Sequence, residues 1–92
     1  MKSRFPKRRD PKYLAWIRLQ PCFICGDVAE PAHVRSRGAG GDDFANVVPL
    51  SHTLHMQLHT VGIRTFERRY KTDLAQVAAA YAEAYTREAH AI

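Results

Sequence analysis

No part of this sequence stays apolar for long. The longest apolar run, Val77 to Ala82, falls far short of the roughly 20 residues a bilayer-spanning helix needs. The basic beginning lacks the apolar stretch of a secretory signal, so the expected location is cytoplasmic, with no membrane partner. Cysteine occurs only twice, at Cys22 and Cys25, a metal or redox spacing rather than a disulfide framework. Acid is scarce relative to base: 9 Asp and Glu face 14 Lys and Arg, giving a formal charge of +5. That excess suggests a polyanionic partner, most often nucleic acid. No internal repeat is visible. What is present, 46% hydrophobic residues over 92 positions, suits one small domain of modest core, which a structural metal would help.

Residues 1–12 hold six bases, one acid and two prolines. Such a segment buries too little to order itself, and reads either as a solvated tail or as an arm along phosphates. Residues 13–92 read as a single domain. Asp10 and Pro11 signal a helix start, and Tyr13, Leu14, Trp16 and Ile17 give that helix an apolar side until Pro21 closes it. A Cys22-x2-Cys25-Gly turn follows. Short strands are expected near 31–36 and 46–50, separated by a Gly-rich loop through residue 43. Ser51 caps a helix to about Thr60, ended by Gly62. A helical turn is expected from Phe66 to Tyr70. Thr72 is expected to cap a last helix, about 72–90, with Leu74, Val77, Tyr81 and Tyr85 as its apolar stripe.

Four of the five histidines lie between residues 33 and 59. His52, His55 and His59 share one face of the expected helix, because spacings of three, four and seven return to the same side. Two histidines at i and i+4 can reach one metal ion. His33 stands near the end of the first strand, and Asn46 begins the second.

This order, a strand with His, a loop, Asn and a strand, then a helix with His-x3-His, resembles the HNH, or ββα-metal, nuclease motif. Ala32-His33-Val34, Asn46-Val-Val-Pro-Leu and His55-x3-His59 carry the resemblance. Cys22-x2-Cys25-Gly is similar to the zinc knuckle that often accompanies it. Small HNH endonucleases of bacteriophages and prophages are the nearest likeness, covering residues 21–62. The resemblance implies an α+β fold, a small ββα-metal core with flanking N- and C-terminal helices. It implies a phosphodiester hydrolase in a bacterial host cell, acting on double-stranded DNA; a domain this small offers few base-reading elements, so low sequence specificity is expected. His33 would be the general base and Asn46 would orient its loop. His55 and His59 would hold one divalent cation: Mg²⁺, Mn²⁺, Ni²⁺ or Zn²⁺. Arg35 and Arg37 flank the expected site, where they could clamp phosphate or stand as solvated loop charges.

Three positions depart from the family pattern. Ala32 replaces the usual metal ligand before the base, so His52, Asp42 or Asp43, or water with the substrate phosphate, would have to complete the site. Ser51 and Leu54 replace the partners of Cys22 and Cys25. Two thiolates hold zinc poorly, so these cysteines are expected to be buried thiols rather than a structural zinc site, with a zinc completed by His52 as the lesser alternative. The competing function is a basic nucleic-acid-binding protein that keeps the fold without hydrolysis.

Overall fold

The structure, a computed structural model, describes residues 9–35 and 42–89. Arg37, the loop glycines 38, 40 and 41, and the arm residues Lys2, Arg4, Lys7 and Arg8 lie outside these. The described chain forms helix α1 (Pro11–Arg18), strands β1 (Glu30–His33) and β2 (Val47–Leu50), then helices α2 (His52–Val61), α3 (Ile63–Tyr70) and α4 (Leu74–Ala89). It is a small α+β fold. No described helix is long and apolar enough to cross a membrane.

Local signals explain most boundaries. The Asp10 carboxylate accepts the Tyr13 amide at 3.1 Å and Pro11 fills the first turn, so α1 starts there. Lys12 is therefore helical rather than part of an extended arm. Ser51 caps α2 by accepting the Leu54 amide at 3.3 Å. Gly62, with φ at 84°, ends α2 and begins α3 at once, so α3 starts three residues earlier than Phe66. The last helix is capped by Asp73, whose carboxylate accepts the Gln76 amide at 3.1 Å, and not by Thr72. The Leu74 amide is held instead by Glu67 at 2.7 Å.

β1 and β2 pair antiparallel, Glu30 opposite Leu50 and His33 opposite Val47. β1 stops at His33 instead of reaching residue 36. After Val34 donates to the Asn46 carbonyl, the backbone of Arg35 turns to the Asn46 side chain and the ladder ends. All four residues of β2 are buried. Successive side chains alternate across the sheet. Ala32, Val48 and Leu50 thus join Leu54, Leu58, Phe66, Leu74 and Ala78 in one core. Val47 faces the other way, packing with Tyr13, Ile17 and Ala82. The buried line of α4 runs through Leu74, Ala78 and Ala82, with Val77, Tyr81 and Tyr85 partly buried beside it. The small alanines bring α4 close to the sheet, and the tyrosines wrap its side, where Tyr85 meets Tyr13 and Trp16 at ring distances of 5.0 and 5.3 Å.

Phe66 is fully buried, so Phe66→Ala should cost about 3–5 kcal/mol in urea denaturation. Leu19, 80% exposed, should change stability by no more than about 0.5 kcal/mol when replaced by Ala.

Candidate functional site

β1 carries an imidazole–carboxylate pair at each end. At its start, alternation turns Glu30 to the same side as Ala32, toward α2. The Glu30 carboxylate lies 2.5 Å from His55 Nδ1 and 3.2 Å from His52 Nδ1. The rings of His55 and His59 stand 4.9 Å apart, and Leu54 and Leu58 bury the opposite side of the helix. The expected single histidine face of α2 is thus present, with Glu30 added to it. Hydrogen bonding from His55 holds the Glu30 carboxyl below its ordinary range; burial opposes this and His52 reinforces it.

At the other end, His33 Nε2 lies 2.9 Å from Asp43 Oδ1. Asp43 is fully buried, and its second oxygen accepts the Asp10 amide at 2.8 Å. A buried carboxylate needs such partners, and here the imidazole and the N-terminal end of α1 supply them. With Asp43 ionised and His33 neutral, Nε2 would donate to Oδ1 and Nδ1 would keep its lone pair. Among the described residues no hydrogen bond, ion pair or ring contact joins His33 to His52, His55 or His59. Asp43, one of the candidates for completing the metal site, is thus hydrogen-bonded to His33.

Asn46 ties the two ends of the loop together. Its amide nitrogen donates to the carbonyls of Arg35 at 2.7 Å and Asp42 at 2.8 Å, and its oxygen accepts the Arg35 amide at 2.8 Å. The exposed Arg35 leaves this clamp two residues after His33. Arg9, the arm residue before α1, lines a hollow of about 490 Å³ with Asp10, Asp42 and Phe44.

The cysteine turn is well formed. The Cys25 amide donates to Cys22 Sγ at 3.4 Å, Gly26 closes the turn, and the Phe23 amide ties it to Pro49 of β2. Cys22 is buried as expected, but Cys25 is exposed, because its sulfur lies at the open rim near Asp27. Burial pushes the Cys22 thiol up. Hydrogen bonds from the Cys25, Ser51 and Ile24 amides and the Cys25 side chain outweigh this and leave it below its usual value. Ser51 and Leu54 line a hollow with Cys25. The Ser51 hydroxyl accepts from the helix end, and Leu54 offers no donor atom to a metal.

Glu30 escaped the sequence reading. The available signal was period-two alternation, which places residue 30 on the side of residue 32, facing the helix that follows β2. Among the described residues no three His, Cys, Asp or Glu side chains are gathered as a metal-holding group.

Glu30 gives a test of this geometry. Its folded-state pKa is lowered, so its contribution to stability is present above the unfolded carboxylate range and disappears as pH falls through the folded value. Glu30→Gln should flatten the loss of stability between about pH 5 and 3, read by urea denaturation. The Glu30 side chain is 38% exposed, so water screens the pair and the amplitude should be small.

The chain is 38% identical to the "Uncharacterized protein YdfU" of Escherichia coli (strain K12), over 77% of this chain and 22% of that protein. It thus spans about a fifth of the length of that relative. No solved structure gives a significant match. The sequence model described as "Protein of unknown function (DUF968)" matches residues 2–87, and the chain belongs to the DUF968 family.

Proposed function

We propose that this domain is a metal-dependent endonuclease of the HNH type, hydrolysing phosphodiester bonds of duplex DNA. The observation that carries the reading is the Asn46 clamp: it closes the loop between a strand ending in His33 and a strand leading into His55 and His59. The same order of groups is what the HNH resemblance implies. The basic composition supports a polyanionic substrate.

The metal is tested against the donors present. Glu30 takes the Nδ1 side of His55, which leaves Nε2 for an ion, and a carboxylate behind a ligating imidazole is the usual support. His59 lies one turn further with its ring adjacent. These residues fit a divalent ion held by two imidazoles, with water and substrate phosphate filling the rest, since Ala32 adds nothing. Such an ion, Mg²⁺, Mn²⁺, Ni²⁺ or Zn²⁺, would neutralise charge on the scissile phosphate and the leaving oxygen.

The chain's own residues supply the remainder. His33 accepts a proton from water at Nδ1, the nitrogen that Asp43 leaves open. Asp43 fixes the ring and stabilises the imidazolium that results. Asn46 holds the loop segment that follows His33. Arg35 contacts phosphate, and Arg37 is assigned the same role from the sequence. A structural zinc is no part of the proposal, because Ser51 and Leu54 do not complete the cysteine pair.

A plasmid-nicking assay across those four metals tests the reading. His33→Ala should cut the rate by about 10²–10⁴ while leaving metal affinity nearly unchanged in calorimetry. His59→Ala should weaken metal binding, and added metal should partly restore its rate. Absence of nicking with every metal, alongside intact DNA binding, would favour a non-catalytic nucleic-acid-binding domain instead.

A further inference from the structure

Beyond residue 12 the sequence holds eight bases and eight acids, yet four of those bases stand within 64–71: Arg64, Arg68, Arg69 and Lys71. All four are exposed. Arg64 and Arg68 are one turn apart on α3, and Lys71 follows at its C-terminal cap, so these three share one side of the helix. They line a groove of about 600 Å³ with Glu67, Thr72, Asp73 and Gln76.

Two carboxylates also line that groove, and against Arg64, Arg68 and Lys71 they leave it an excess of positive charge. Glu67 accepts the Leu74 amide and Asp73 accepts the Gln76 amide, so both face the first turn of α4. No ion pair within the described residues includes Arg64, Arg68 or Lys71. Arg87 on α4 shows the contrast, since it is paired with Glu83 at 2.8 Å. The acids thus support the helix end while the cations remain directed at solvent.

We propose that this α3 groove is a second contact surface for the phosphodiester backbone of duplex DNA, separate from the histidine-bearing face of α2. Among the described residues no aromatic side chain lines the groove for an unpaired base to stack on, which favours a duplex backbone over a single strand. Guanidinium groups bind phosphate bidentately, and a sequence-neutral contact of this kind adds affinity without adding specificity. The proposal deepens the nuclease reading by naming where a substrate flank rests.

The test is binding of a fluorescent duplex to the whole chain, in EDTA, across a salt series. Each lost phosphate contact should reduce the magnitude of the log affinity–log salt slope by about 0.9. Arg64→Gln with Arg68→Gln should therefore reduce it by about 1.8 and weaken binding roughly tenfold or more near 0.1 M salt. The double replacement by Lys should keep most of the slope, and Arg87→Gln should leave it unchanged. An unaltered slope in the Gln double variant would overturn the groove assignment, as would tighter binding of a single strand of the same length. Because EDTA removes the metal, this result stands apart from nicking: cleavage with an unaltered slope sinks only the groove, and duplex binding through it without cleavage sinks only the nuclease.

Discussion

Two strands of four residues cannot stay together in water by their own hydrogen bonds, so this domain depends on covering both faces of its ribbon. Valine, valine, proline and leucine make β2, and none of them is left in solvent. One side packs on Leu54, Leu58 and Phe66, and the other on Tyr13, Ile17 and Ala82. Because the ribbon is held from both sides, its two ends become fixed points. Each end carries a carboxylate–imidazole pair whose orientation is inherited from the core beneath it.

The pairs differ in environment and hence in what they can do. Asp43 is out of solvent and answered by an amide and a ring, so it is a rigid support. Glu30 is partly open to solvent and shared by two imidazole rings. In each case the carboxylate engages one nitrogen and thereby defines the chemistry of the other.

Much of the fold was legible from residue order. Asp10–Pro11, Ser51 and Gly62 mark helix ends by local chemistry, and they stand where expected. The histidine face of α2 follows from helical periodicity alone. Other features required tertiary information. Thr72 yields the cap of the last helix to Asp73, and Glu67, seven residues from Leu74, takes that amide. The end of β1 depends on a side chain eleven residues away, Asn46, which no local pattern around Val34 announces. Nothing in the sequence around Asp43 reveals its hydrogen bond to His33, ten residues back. Cys25 lies exposed at the rim of its turn, a difference from buried Cys22 that their shared spacing does not announce.

Trp16 in the first helix donates its indole N–H to Glu88 near the end of the last, at 3.3 Å. Tyr13 stacked on Trp16, with Tyr81 and Tyr85 edge-on to the indole, closes the same seam. The first and last helices, far apart in sequence, are thereby fastened to each other along one flank, so loosening either one loosens the cover on the Val47 side of the ribbon.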